Sequence, residues 1–306
     1  FSDDTVTNVN KTALSFVLTS PKLNRVYNYT ISSSGGGTPL TGTGTQITSP
    51  QTMSGINVTS LPDGLLTLSL TLTDSIGGVG VATTDTIPMA VLNANLVGHW
   101  TFDSNDISGV TAYDRSGSTL NGTLQGTPTS FAGRIGGGLK FDGFGSGDRV
   151  SLGASAILNP ANFTITAWVS PANISGVYGY IYSNARDCCG AYKGIEMRLA
   201  ANNLRGIIWN TGFAQLTTTG TIANSSGWHH VTYTYDGSTI KLYIDGNFDS
   251  QLATAIGVGG PASFGTYIGT MGFNAGTYTL DGILDDVRIY NTVLTSGQVS
   301  TLYATH

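Results

Sequence analysis

The stretch "HHVTYTYDGSTIKLYIDGNFDS", residues 229–250, decides the fold. Apolar and polar residues alternate along it, and Asp-Gly interrupts it twice, at Asp236-Gly237 and Asp245-Gly246. A period of two sends successive side chains to opposite faces of a strand. Asp-Gly between two such runs is the strongest short-range hairpin signal. The stretch therefore predicts antiparallel strands joined by tight turns. Upstream, "NFTITAWVSP" alternates as cleanly, with Phe163, Ile165, Ala167 and Val169 on one face and Thr164, Thr166, Trp168 and Ser170 on the other.

The same rhythm fills the rest of the chain. "ALSFVLTS", "VYNYTISS" and "LLTLSLTLTD" alternate in the first ninety or so residues, with Gly, Asn, Asp and Pro between them. That spacing is the rhythm of a β-sandwich. Only the tail, "NTVLTSGQVSTLYATH", has room for a short helix, opened by a Thr or Ser cap. The reading is all-β: a β-sandwich over residues 1–92, then a larger antiparallel β-sandwich over 93–306.

Charged residues make up only 10% of the 306, and the net charge is −5. No basic surface is available to hold phosphates, which disfavours nucleic acid as a partner. No apolar run reaches membrane-spanning length; "GLLTLSLTL" is broken by Thr and Ser. No basic-then-apolar leader opens the sequence, so any signal peptide is expected to have been removed. Low charge, scarce Lys and Thr-rich strands resemble the composition of secreted bacterial surface proteins, and an extracellular or cell-surface location is expected.

Six ordered segments carry a family resemblance: "LVGHWTFD", "AYDRSGSTLNGTLQG", "GRIGGGLKFDG", "FTITAWVSP", "GWHHVTYTYDGSTIKLYIDG" and "LDGILDDVRIYNTVLTSGQV". Their succession from 96 to 303 resembles laminin-G-like (concanavalin A-like lectin/glucanase) jelly-roll domains. "NKTALSFVLTSP", "YNYTISSSGGGTP" and "SGINVTSLPDG" are similar to the Ig-like repeats of large bacterial adhesins. The sandwich glucanases of that superfamily use two Glu on one strand, whereas this chain contains a single Glu, Glu196, without an acidic neighbour two or four residues along. Glycoside hydrolysis needs a pair of carboxylates, so a glycosidase or lyase is disfavoured and a non-catalytic module expected. His229 and His230, adjacent on a strand, point to opposite faces and cannot clasp one ion; the resemblance makes them structural. The glycines of "GRIGGGLKFDGFGSGDRV" precede no helix and read as turns.

Two carboxylates inside "ILDDVRI" are costly to bury unless neutralised. Arg288, two residues from Asp286, is one neutraliser. A calcium ion is another, since it takes six to eight oxygen ligands. The resemblance implies a calcium ion at the sheet rim and pairing of the first and last strands of the domain. Asp103, Asp114 and Asp285 are the candidate ligands of a structural Ca2+, with Asp286 paired to Arg288.

Both cysteines of the chain, Cys188 and Cys189, are adjacent in "SNARDCCGAYKG". Bridging neighbours about 3.8 Å apart makes a strained ring that closes almost no loop, so a vicinal disulfide shapes a turn and adds little stability. The alternatives are two free thiols or intermolecular bridges; an oxidising compartment favours the disulfide. Around it stand Tyr180, Tyr192, Arg186 and Asp187, with Trp209 from a neighbouring strand. Aromatic faces against C–H patches, with Asp and Arg clasping hydroxyls, are the chemistry of sugar recognition. The expected function is carbohydrate or extracellular-matrix recognition by an adhesin-like protein. The rival is a structural subunit of an extracellular fibre that self-associates through edge strands.

Overall fold

The computed structural model describes residues 13–20, 22–34, 36–58, 60–61, 64–89, 95–174, 178–185, 192–260, 265–271 and 277–304. The chain divides into two compact units, residues 1–94 with 295–305, and residues 95–294. Nearly all regular structure is antiparallel strand, with one α-helix, Ser296–Ala304, among the described residues. No described helix is long and apolar enough to cross a membrane.

In the first unit a four-stranded sheet runs in the order Gly36–Thr45, Val26–Ser33, Gly64–Thr73, Thr83–Met89. A two-stranded sheet, Leu14–Leu18 with Gln51–Ile56, shares a core with it. The alternation of Gly64–Thr73 does what a period of two requires: Leu66, Leu68 and Leu70 are buried against Phe16, Ile31 and Ile87. The helix packs on this strand. It opens with a capping box: Thr295 Oγ1 accepts the Gln298 N–H at 3.2 Å, and Gln298 Oε1 accepts the Thr295 N–H at 2.8 Å.

The second unit stacks two larger sheets. The nine-stranded one has the order Phe213–Thr217, Asn203–Trp209, Gly194–Ala200, Tyr178–Ser183, Thr266–Ile268, Arg149–Gly153, Gly122–Gln125, Thr111–Ala112, Ile107–Ser108. The eight-stranded one runs Thr129–Ala132, Gly137–Asp142, Asp281–Tyr290, Phe163–Pro171, His229–Tyr235, Thr239–Ile244, Asn247–Ala253, and Leu96–Trp100 also pairs with Asp281–Tyr290. Phe163, Ile165, Ala167 and Val169 face the shared core, beside Ile195, Met197 and Leu199 of the other sheet. The opposite face of Phe163–Pro171 is buried too. Thr164 exchanges hydrogen bonds with Thr292 O and Leu294 N, and the Arg134 guanidinium lies 5.0 Å from the Trp168 ring.

Both Asp-Gly hairpins form, with different turns. Asp245 and Gly246 have φ of 50° and 74°, the two positive angles of a two-residue type I′ turn between paired Ile244 and Asn247. Asp245 also accepts the His230 N–H at 2.9 Å and holds His229 Nδ1 at 2.9 Å. The two histidines are thus anchored at a strand entry, as the resemblance implies. At the first Asp-Gly, Asp236 Oδ1 accepts the N–H groups of Ser238 and Thr239, a wider side-chain-closed loop. Replacing Asp245 by Ala should cost about 1–2 kcal/mol, because two buried-end contacts go with the turn. Urea unfolding followed by tryptophan fluorescence measures it, since Trp100, Trp168, Trp209 and Trp228 all lie in the second unit.

Candidate functional site

The outer face of the nine-stranded sheet, at its Phe213–Thr217 end, collects aromatic and cationic side chains. Alternation places them there. Met197 and Leu199 enter the core, so Glu196 and Arg198 face outward; Leu204 and Ile208 enter it, so Arg205 and Trp209 face outward. A bulge between Tyr180 and Tyr182 keeps Tyr178 and Tyr180 on the outer face while Tyr182 turns into the core and donates to Leu158 O.

Two patches result. At one end, Tyr192 stacks on Trp209 with ring centroids 4.4 Å apart and planes at 25°, and Phe213 lies 4.9 Å beyond at 37°. Phe213, directly opposite Trp209 on the edge strand, is 58% exposed. Four residues back along the strand, about 13 Å at the usual rise, Arg205 stands opposite Arg198, which stands opposite Tyr180. The Arg198 guanidinium lies 4.1 Å from the Tyr178 ring centre, donates to Tyr180 Oη, and is 3.4 Å from Glu196 Oε2. Tyr278 packs 6.0 Å from both Tyr178 and Tyr180. Burial, then the nearby Glu196 charge, pushes the Tyr180 phenol well above its ordinary range, so it stays a neutral hydroxyl.

Of the residues expected from sequence, Tyr192 and Trp209 are brought into contact. Tyr180 lies at the second patch and is 2% exposed, so it braces Arg198 and offers no open face. Arg186, Asp187, Cys188 and Cys189, with the disulfide they suggest, fall outside the described residues. Phe213, Arg198, Arg205 and Tyr278 were not foreseen. The arginines become partners through the two-residue turn Ala201-Asn202, with φ of 51° and 68°, which nothing in the residue types announces.

The aspartates gather elsewhere, where Leu96–Trp100 pairs with Asp281–Tyr290. That pairing follows the resemblance, and Asp286 meets Arg288 at 3.0 Å and His99 at 2.7 Å. A bulge opposite Ala167, with Asp286 at φ 49°, turns it away from Asp285. Asp103, Asp114 and Asp285 serve as backbone clamps. Asp103 accepts the Gly137 N–H at 2.6 Å; Asp114 accepts those of His99, Ser116 and Leu120 at 2.8–2.9 Å; Asp285 accepts that of Ile135 at 2.8 Å. Among the described residues no three His, Cys, Asp or Glu side chains stand together as a group that could hold a metal ion.

The second unit is a two-sheet antiparallel jelly roll carrying an aromatic and cationic outer face. Residues 144–300, just over half of the chain, match the concanavalin A-like lectin/glucanases superfamily, and the chain belongs to that family. Among solved structures it is similar to domain 4 of AbnA, a GH43 extracellular arabinanase from Geobacillus stearothermophilus solved with arabinotriose (21% identity, TM-score 0.56, 68% of this chain and 98% of that one). It is also similar to the binding domain of Paraclostridial Mosquitocidal Protein 1 (20%, 0.54, 69% and 52%). A third is the binding domain of Botulinum Neurotoxin DC in complex with SialylT (14%, 0.51, 70% and 52%). The match spans about half of each toxin binding domain. At these identities the likeness is one of fold. No curated protein matches the chain.

Burial raises the Asp285 carboxyl to about 7, against the Ile135 N–H that favours its charged form, and Asp286 adds to the rise. An unfolded aspartate ionises near 3.9, so between about pH 4 and 7 the unfolded chain binds fewer protons than the folded one. The stability contributed by this group is present in full below pH 4 and is lost as pH rises to about 7. Asp285→Asn should remove that slope; parallel wild-type and variant stability curves across the window would contradict the assignment.

Proposed function

We propose that the second unit is a non-catalytic carbohydrate-recognition module of a secreted or cell-surface protein, with the first unit as an Ig-like spacer. The observation that carries this is the row Tyr192, Trp209 and Phe213 laid along one sheet edge. Stacked rings with an exposed end offer flat π-faces to the C–H patches of sugar rings. Trp209 and Phe213 lie opposite each other on adjoining strands, with Tyr192 stacked just before the next, so the row is pre-organised and little side-chain entropy is lost on binding. Glu196, the only Glu in the chain, is 1% exposed and lies against Arg198, an arrangement suited to bracing and not to proton transfer in solvent. Neighbours of the same fold were solved with arabinotriose and with SialylT, which makes sugars the first ligands to try.

A glycan array with the full chain tests the reading, followed by titration calorimetry on whatever binds. Trp209→Ala should weaken binding roughly thirtyfold, the about 2 kcal/mol of an aromatic hot spot, with an unchanged circular dichroism spectrum. A folded wild-type protein that binds no glycan would overturn it.

A specific feature of the first unit favours a second reading, strand addition between molecules. A groove of about 630 Å³, lined by Phe16, Leu18, Leu68, Leu70, Val81 and Thr83, lies beside strands Leu14–Leu18 and Thr83–Met89. Among the described residues each of those strands is paired on one side only, and Val81 is 95% exposed. Open edges beside a groove of mixed apolar and polar lining accept an added strand. On this reading, sedimentation velocity between micromolar and hundred-micromolar concentrations shows growing oligomers without sugar, and Val81→Lys returns them to monomer. A monomer at every concentration would remove it.

A further inference from the structure

Arg198 and Arg205 face each other across Gly194–Ala200 and Asn203–Trp209, on the same outer face. Like charges directly opposite on one face of a sheet repel. One carboxylate, Glu196, sits at 3.4 Å from Arg198. Among the described residues the Arg205 side chain has no carboxylate within 4.0 Å and no hydrogen bond; its other cross-strand neighbour, Thr217, brings only a hydroxyl. The Nε atoms of both arginines are buried without an acceptor. Their heads flank one ring, Tyr178, at 4.1 Å and 6.0 Å, and that ring is 37% exposed. Among the described residues the face therefore holds one more cation than carboxylate, with the half-buried Arg205 beside a phenol ring that is partly exposed.

Resting on the carbohydrate-recognition reading above, we infer that Arg198 and Arg205 form an anion clamp, and that the glycan bound on this face is acidic, its sugar carboxylate received by the guanidinium of Arg205. A guanidinium presents a planar fork of donors that matches a carboxylate in two parallel hydrogen bonds. Stacking of Arg198 on Tyr178 and its bond to Tyr180 Oη fix one arm. Arg205 is the arm left free to close on the ligand. Neutral sugars engage the aromatic row alone, whereas an acidic chain long enough to cover the roughly 13 Å between Trp209 and Arg205 engages both patches. Specificity then comes from the cation and affinity from the rings.

The test pairs each acidic sugar with a neutral twin: 3′-sialyllactose with lactose, and trigalacturonate with its methyl ester, titrated calorimetrically into the full chain. In at least one pair the acid should bind tenfold or more tightly, with the preference shrinking between 0.05 and 0.5 M salt as screening grows. Arg205→Gln should abolish the preference, and Arg205→Lys should keep part of it. Thr217→Glu leaves both arginines in place and supplies a carboxylate from the neighbouring strand; it should block the acidic sugars by occupying the clamp from within. Equal binding of acid and neutral twin overturns the clamp while leaving the recognition module standing. A preference that survives in both Arg205→Gln and Thr217→Glu overturns it as well. Binding of neither twin in any pair, together with a blank array, overturns the clamp and the recognition reading together.

Discussion

The second unit depends on one strand, Asp281–Tyr290, which pairs with Phe163–Pro171, Gly137–Asp142 and Leu96–Trp100. It joins the start, middle and end of the unit in a single ladder, so segments almost two hundred positions apart, such as His99 and Asp286, meet across it. A ladder of this kind is slow to find but cooperative once formed, because each partner strand needs the others to bury its apolar face. The bulge at Asp286 is what makes a carboxylate pair tolerable in it. One extra residue turns Asp286 toward Arg288 and His99, and Asp285 toward the Ile135 amide. Without the bulge, two adjoining charges would compete for the same solvation in a nearly dry strand.

The same device recurs at the candidate site. A second bulge, in Tyr178–Ser183, holds Tyr180 outward beneath Arg198 and sends Tyr182 inward to Leu158. The outer face of that sheet is thus not merely what alternation leaves over. It is re-aimed by one residue, so that two tyrosines and two arginines come to bear on the same spot. The β-sheet supplies a rigid base, since the inward members of the same strands, Met197, Leu199, Leu204 and Ile208, are locked in the core.

Much of this was legible in the sequence, for a definite reason. Period-two alternation in "NFTITAWVSP" assigns the core face residue by residue, and the core holds the same four side chains. Asp245-Gly246 specifies its turn because both residues must adopt positive φ. The Thr that opens the tail helix was readable as a cap, whereas its reciprocal partner Gln298 was found only in the structure. Bulges were not readable: they shift a strand by one residue without any compulsory residue type, so the outward turn of Tyr180 and the parting of Asp285 from Asp286 leave no local trace. Burial of the second face of Phe163–Pro171 was equally hidden, because Thr and Trp serve at a wet surface or under a covering segment. The candidate site was half visible. Trp209 and Tyr192 stood out as aromatics beside a polar loop, whereas Arg198 and Arg205 needed the Ala201-Asn202 turn, where Ala in a left-handed conformation gives no warning.

The work done by charged side chains separates the two ends of the unit. Near Leu96–Trp100 the acceptors are engaged: Asp114 takes three backbone amides and the Ser116 hydroxyl, Asp103 takes Gly137, and Asp286 is bound by an imidazole and a guanidinium. Carboxylates spent in this way stitch loops to strands, and their removal would be felt as lost stability. At the Phe213–Thr217 end cations predominate: Arg198 and Arg205 face a single carboxylate, Glu196, among the described residues, and Trp209 Nε1 and both arginine Nε atoms are buried without an acceptor there. Buried donors without acceptors are a standing cost that folding alone gives no reason to keep. Acceptor oxygens are what a sugar has in abundance, on every ring and on both faces. On the proposed carbohydrate-recognition reading, the guanidiniums and indole N–H of the Phe213–Thr217 end, rather than the engaged aspartates of the other, are the groups that a sugar's oxygens answer.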